Sequence, residues 1–205
     1  ILNIAAFYTK FNNFQANNPD FSGTVVISRF TNAGKVSTRG FEIDFNAVPV
    51  PGLTITGGLA YTDARVDAFK AVAGANPADI IVQGTPLLFA PKWKGTFGID
   101  YRTTVTSGID LFLGGQASAQ GKQLSIFSPN AALRDLGTID AYELVNVQVG
   151  FGDSDDKWRL MFQVRNLFDK SYVAHKESGG PGGSIRFQIP RDADRYWGVT
   201  GRISF

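Results

Sequence analysis

"WRLMFQVRNLFDKSY", residues 158 to 172, places Trp158, Leu160, Phe162 and Val164 on one set of alternate positions and Arg159, Met161, Gln163 and Arg165 on the other. Successive side chains of an extended chain point to opposite sides of the pleat, so this segment reads as a strand with one apolar and one polar face. Which solvent meets each face decides the fold.

The same pattern recurs outward from it in both directions. "FEIDFNA" (41–47) sets Phe41, Ile43 and Phe45 against Glu42, Asp44 and Asn46, and "LTITGGLAYT" (53–62) sets Leu53, Ile55, Leu59 and Tyr61 against threonines and Ala60. "WKGTFGIDYR" (93–102) opposes Trp93, Phe97, Ile99 and Tyr101 to Lys94, Thr96, Asp100 and Arg102. "IDLFLGGQASAQ" (109–120) and "YELVNVQVGF" (142–151) continue it, the latter with Val145, Val147, Val149 and Phe151 opposite Asn146 and Gln148. In "YWGVTGRISF" (196–205) Trp197, Val199, Ile203 and Phe205 share one face to the last residue, while Thr200, Arg202 and Ser204 share the other. With a strand near residues 2–17, eight strands are expected.

Composition removes several classes. At 43% hydrophobic and 19% charged, the 205 residues are too apolar for disorder. Twenty Lys and Arg against eighteen Asp and Glu give no electrostatic case for nucleic acid. No apolar run approaches the roughly 20 residues of a spanning helix. That test does not touch a membrane β-barrel, whose strands alternate and average to neutral hydropathy.

Alternation also fits a soluble antiparallel sandwich with water on the polar face. Two regularities favour a transmembrane barrel. Short turns near 48–52, 103–108 and 152–156 alternate with long loops at 64–87, 122–138 and 173–194, and barrels have short turns at one end and long loops at the other. Trp93 and Tyr101 lie on one apolar face, separated by roughly 20 Å at ~3.3 Å per residue and ~40° of tilt, close to the height between two aromatic girdles. The expected assignment sends Trp93, Phe97, Ile99, Tyr101, Val145, Val147, Val149, Trp158, Leu160, Phe162 and Val164 to lipid. Lys94, Asp100, Arg102, Asn146, Gln148, Arg159, Gln163 and Arg165 face the lumen.

Six segments in order, "NAGKVSTRGFEIDF" (32–45), "PGLTITGGLAYTDA" (51–64), "APKWKGTFGIDY" (90–101), "AYELVNVQVGF" (141–151), "VRNLFDKSY" (164–172) and "RYWGVTGRISF" (195–205), resemble the C-terminal part of a TonB-dependent outer-membrane receptor. The resemblance implies an all-β, antiparallel barrel of 22 strands filled by an N-terminal plug. Residues 1–205 are then expected to supply about eight C-terminal strands, with plug, coupling motif and earlier strands outside this chain. It implies the outer membrane of a Gram-negative bacterium and energy-coupled uptake of a scarce ligand, most commonly a ferric siderophore. The implied partners are outer-membrane lipid and lipopolysaccharide, the periplasmic protein TonB through the absent N-terminal part, and the barrel assembly machinery. A small closed eight-stranded barrel with a structural or adhesive role is the alternative.

No nucleophile, base and orienting group converge, so neither an enzyme nor a catalytic residue is expected. Arg165, Asp169 and Lys170 read as a salt-bridge network fixing a strand end to its loop. Single His175 lacks a carboxylate or Cys cluster and gives no metal site, and no cofactor is implied. "SGGPGGS" (178–184) lacks the Lys-Ser/Thr of a phosphate loop and reads as a flexible loop. The expected lumen lining is Glu42, Asp44, Lys94, Asp100, Arg102, Arg159, Arg165 and Arg202. Arg186, Arg191 and Arg195, in the last long loop, are candidates for contact with an anionic ligand. Trp197, Val199, Ile203 and Phe205 form the terminal aromatic strand that, by resemblance, the assembly machinery reads.

Overall fold

The computed structural model describes residues 1–20, 27–70, 80–179, 184–191 and 193–204. In chain order the elements are β1 (Leu2–Asp20), β2 (Ile27–Val50), β3 (Leu53–Phe69), β4 (Trp93–Thr106), β5 (Ile109–Gln120), β6 (Gln123–Leu124), α1 (Ala131–Leu136), β7 (Thr138–Ile139), β8 (Tyr142–Asp153), β9 (Trp158–Arg165), β10 (His175–Ser178), β11 (Ile185–Gln188) and β12 (Tyr196–Ile203). Eight of them form one antiparallel meander in the order β1-β2-β3-β4-β5-β8-β9-β12, while β6/β7 and β10/β11 are separate two-stranded ladders. The large sheet is open: β1 pairs with β2 alone and β12 with β9 alone. The closed eight-stranded alternative is therefore not favoured.

One end of the sheet carries tight turns. Pro51 fixes its own φ, and Gly52 follows at φ +81°, a conformation that side chains with a Cβ rarely adopt. A Cβ there would also collide with the Arg102 carbonyl of β4, whose own N–H donates to the Gly52 oxygen at 2.9 Å. Gly108, at φ +78°, closes the next hairpin, and residues 154–157 close the third. The opposite end carries the long connections.

Three expectations need revision. The second strand begins at Ile27 rather than Phe41, and β3 runs on through Phe69 where a loop was expected. The long loops hold structure of their own: α1 with β6/β7 in one, the β10/β11 hairpin in another. The terminal strand ends at Ile203, although the Ser204 N–H still donates to Lys157 O at 2.8 Å; Phe205 lies outside the described residues.

Register shows why the extra length was hidden. Phe41 pairs with Tyr61, Ile43 with Leu59 and Phe45 with Gly57, one apolar face. Continuing outward on the same positions come Arg39 opposite Asp63 and Ser37 opposite Arg65, so this face turns from apolar to charged. The other face does the reverse. Below Gly40 it carries Glu42, Asp44 and Asn46; above it, Val36 opposite Val66, both buried. Hydrophobic parity inverts at residues 39–41 and 61–63, so a reading that follows one parity stops there.

The core lies at the long-loop end. Val36, Val66 and Ile81 are buried against Phe69, Leu87 and Phe127, and Leu124, Ile126 and Ile139 are buried in the loops. Most of the apolar face has no such cover, Leu160 being 52% exposed, Trp197 60% and Val199 68%; Val164, expected to face lipid and sharing this face with Trp197 and Val147, is instead buried at 4%.

Candidate functional site

Cross-strand pairing carries every expected lumen residue onto one continuous polar face. Glu42 pairs with Ala60, Ala60 with Lys94 and Lys94 with Gln120; Asp100 pairs with Gly114 and Arg102 with Phe112; Arg159 pairs with both Gly152 and Arg202, and Arg165 with Tyr196. Paired residues share a face. Glu42, Asp44 and Lys94 line one open groove of about 300 Å³. Asp100 and Arg165 line another of about 360 Å³, with Gln116, Asn146, Gln148 and Gln163. Its floor carries Gly98 and Gly114, where a Cβ would meet Thr56 Oγ1 and the Gln148 amide respectively. Amides and cations suit a polar filling or water, and Arg165 packs over the Tyr196 ring at 5.7 Å.

At the tight-turn end a charge cluster ties two hairpins together. Asp110 is buried and accepts from Arg102 Nε (2.6 Å), Thr104 Oγ1 (2.8 Å) and Ser154 Oγ (2.8 Å). Arg102 also donates to Ser154 O (2.9 Å) and reaches Asp156 (3.4 Å), which accepts from Arg159. Both guanidiniums lie over Phe112, at 5.2 and 4.0 Å from its centroid. Asp156 sits in the turn at φ +59°, and the Arg159 hydrogen bond, reinforced by the Arg102 charge, holds its carboxyl below the ordinary carboxylate range. Two of the expected lumen cations, Arg102 and Arg159, are thus committed to structure.

At the other end the long loops interlock. Phe89 N–H donates to Leu124 O (2.9 Å), and Ser125 N–H to Gly137 O (3.0 Å). Buried Ser125 also gives its hydroxyl to Lys176 O (2.6 Å) and accepts from Lys176 N–H (2.9 Å), while Lys176 Nζ donates to Thr138 O (2.6 Å). His175 stacks on Phe89, ring centroids 5.6 Å apart, a structural contact. Among the described residues no three His, Asp or Glu side chains converge as metal ligands.

The trio Arg165, Asp169 and Lys170 fixes strand to loop, but its members do not pair with one another. Asp169 Oδ1 accepts from Arg195 N–H (2.9 Å), and Lys170 Nζ lies 3.8 Å from Glu143. The central residue is Asn166, which the sequence reading passed over. Buried at φ +47°, it donates to Lys170 O (3.0 Å) and Ala193 O, accepts from Lys170 N–H (2.9 Å), and its backbone N–H reaches Asn146 Oδ1 (2.9 Å). An Asn between a strand and a turn was the available signal, because Asn tolerates positive φ and bonds the backbone locally.

The three loop arginines are not brought together. Arg186 lies opposite Glu177 in the β10/β11 hairpin, Arg191 is exposed in a turn, and Arg195 is held at the foot of β12 by Asp169 and the Leu167 carbonyl. None of the three lines the nearby groove of about 310 Å³, which is lined by Tyr142, Tyr172, Asp140, Lys170, Lys176 and Ile189, the tyrosines stacked at 4.4 Å. Trp197, Val199 and Ile203 share the apolar face with Val164, Phe162 and Trp158, their partners on β9.

A family model described as TonB dependent receptor-like, beta-barrel, matches residues 1–167. Among solved structures the chain is similar to the ferric yersiniabactin uptake receptor FyuA from Yersinia pestis (18% identity, TM-score 0.73, covering 100% of this chain and 27% of that one). It is also similar to the ferric-catecholate import receptor Fiu from K12 E. coli (22%, 0.70, 100% and 25%). A third is the ferripyoverdine receptor of the outer membrane of Pseudomonas aeruginosa (19%, 0.64, 100% and 25%). The chain spans about a quarter of the length of each.

Proposed function

The chain belongs to the TonB-dependent receptor family, outer-membrane β-barrel transport receptors rather than enzymes, and from that premise we propose that it forms the C-terminal wall and outer loops of a receptor for energy-coupled uptake of a ferric siderophore. The family match over residues 1–167 carries this reading. The open sheet supports it, because unpaired edges of β1 and β12 are costly in hydrocarbon and earlier strands of a larger barrel would pair them. The apolar face then meets lipid, and the polar face, with its Asp100 to Arg165 groove, meets a plug supplied by the N-terminal part. That same part would engage TonB. Arg186, Arg191 and the Tyr142–Tyr172 groove face the loop side, where an anionic aromatic chelate would be met first. Trp197, Val199, Ile203 and Phe205 would serve the assembly machinery as its terminal signal.

The test is uptake of radioactive iron by cells that depend on the full-length receptor, supplied as ferric catecholate, hydroxamate or citrate chelates, with and without TonB. TonB-dependent uptake of one chelate class supports the reading. Uptake of none, or uptake indifferent to TonB, refutes it.

A further inference from the structure

Three long loops meet over one end of the sheet, and a single side chain of the third touches both of the others. The segment before β4 is anchored to β3 by Val66 N–H to Thr85 O (2.9 Å) and Leu87 N–H to Ala64 O (3.0 Å). Phe89 follows at φ +53°, a left-handed conformation that a bulky side chain seldom adopts. Its N–H is given to Leu124 O in the second loop, and its ring stacks on His175 in the third, with 5.6 Å between centroids and 25° between planes. His175 Nδ1 in turn meets Ser125 Oγ of the second loop at 3.3 Å, and its Nε2 lies 3.9 Å from Glu177, an ion-pair distance.

Hydrogen counting decides which form of the ring fits. A hydroxyl carries one hydrogen, and Ser125 spends it on the Lys176 carbonyl at 2.6 Å while accepting the Lys176 N–H at 2.9 Å. Toward His175 it can therefore only accept, so Nδ1 must carry a hydrogen. Nε2 faces a carboxylate, which also only accepts. A neutral imidazole has one N–H and one bare nitrogen, and here the bare nitrogen would face the lone pairs of Glu177. The imidazolium offers a hydrogen to both acceptors and a cation to the Phe89 face. Other charges nearby are engaged elsewhere. On the same hairpin Arg186 lies opposite Glu177, and the Lys176 ammonium is held by the Thr138 carbonyl at 2.6 Å. In the second loop Lys122 pairs with Asp140 at 3.6 Å, and Arg134 donates to the Ser128 and Pro129 carbonyls, each at 2.7 Å. Phe89 and Ser125, which meet the ring from the other two loops, do not titrate.

We propose that His175 is a proton-operated clasp that holds the three long loops together as one cap, closed while the imidazole is charged and loosened when it loses its proton. Histidine is the side chain that ordinarily changes charge between about pH 5 and 8. Without the proton the Ser125 contact persists through Nδ1–H, but the attraction to Glu177 and the charge over Phe89 are lost. Phe89 then keeps its unfavourable backbone conformation with less to hold it, and the first loop is the one released. The clasp goes beyond the transport reading and rests on it only in placing these loops in the water outside the cell.

The experiment uses the full-length receptor in phosphatidylcholine nanodiscs, spin-labelled through Val82→Cys and Phe187→Cys. Both positions are exposed, and they lie on the two loops that the Phe89–His175 contact joins. Pulsed electron resonance gives the distribution of distances between the labels. With His175 intact, one narrow distance is expected at about pH 5.5, and a longer, broader population that grows about threefold or more by about pH 8.5. His175→Gln, neutral throughout, should show the longer population at both pH values. His175→Arg, planar and cationic throughout, should show the narrow distance at both. Should the Gln variant fail to fold by heat-modifiable gel mobility, the Arg variant carries the test. A distribution that does not change with pH when His175 is present overturns the proposal, as does a pH response that persists in either folded variant. Iron uptake does not enter this readout, so a failed receptor assignment is read separately from a failed clasp.

Discussion

Below the Phe41–Tyr61–Trp93 cluster the sheet is a wall whose apolar side is largely uncovered among the described residues; above it the same strands run into a cap with an ordinary buried core. Val199 is 68% exposed in the wall and Val66 2% exposed in the cap. Side-chain chemistry is similar in the two regions, and what differs is the solvent each expects. The wall leaves its burial to lipid, so it needs only alternation and a complete backbone ladder. The cap is bathed in water, so it must pack Val36, Val66 and Ile81 together and satisfy buried Ser125 and Asn166 with hydrogen bonds.

That contrast breaks if the two regions respond alike to the same substitution. The largest effect is expected for Ile139→Ala, about 2 to 5 kcal/mol of local stability, because Ile139 is 1% exposed and its cavity has no lipid to fill it. Ile99→Ala in the wall should cost clearly less, since acyl chains take up the space. Hydrogen exchange of the full-length receptor in bilayers reads both.

Next is Val147→Arg, about 2 to 4 kcal/mol if near the midplane, against almost no cost for Gln148→Arg on the polar face. The two residues are adjacent, so equal losses in folded yield would erase the distinction between faces.

Asn166→Ala should cost about 1 to 3 kcal/mol locally, by stranding the Ala193 and Lys170 carbonyls and straining a positive φ. It should raise proteolysis within 166–195 and leave the wall unchanged.

The smallest effect concerns the tight turn. Asp156 has a folded pKa below its unfolded one, so its contribution is present above the unfolded value and lost as pH falls through the folded one, a window below about pH 4. Asp156→Asn should flatten the acid response of Trp158 fluorescence in that window and change little at neutral pH.

The wall was legible because its rule is local: one parity apolar, the other polar, strand after strand, from Phe41–Phe45 to Trp197–Ile203. Its faces could be assigned before any pairing was known. The alternation breaks where parity inverts, so "KVSTRG" (35–40) and "TDARVDAF" (62–69) do not read as continuations of β2 and β3. Inversion is itself a local signal, and Val36 and Val66 among charged neighbours carry it. The cap was illegible for another reason. The Ser125–Lys176 and Leu88–Leu124 contacts join loops far apart in sequence, and short ladders such as β6/β7 have no periodicity to read. Likewise the loop arginines looked like a set by proximity in the chain, yet Arg195 is drawn to Asp169 and Arg186 stays on its hairpin.

The central claim is that the lipid boundary runs through the parity inversion of β2. The most direct test is a nitroxide scan of residues 35–46, one site at a time, in the full-length receptor in bilayers, comparing accessibility to oxygen and to a water-soluble nickel chelate. Oxygen-dominated accessibility is predicted at 41, 43 and 45, nickel-dominated accessibility at exposed 35 and 39 on the same face, and protection from both at buried 36 and 37. Oxygen-dominated accessibility continuing through 39 and 35, or nickel reaching 43 and 45, would contradict it.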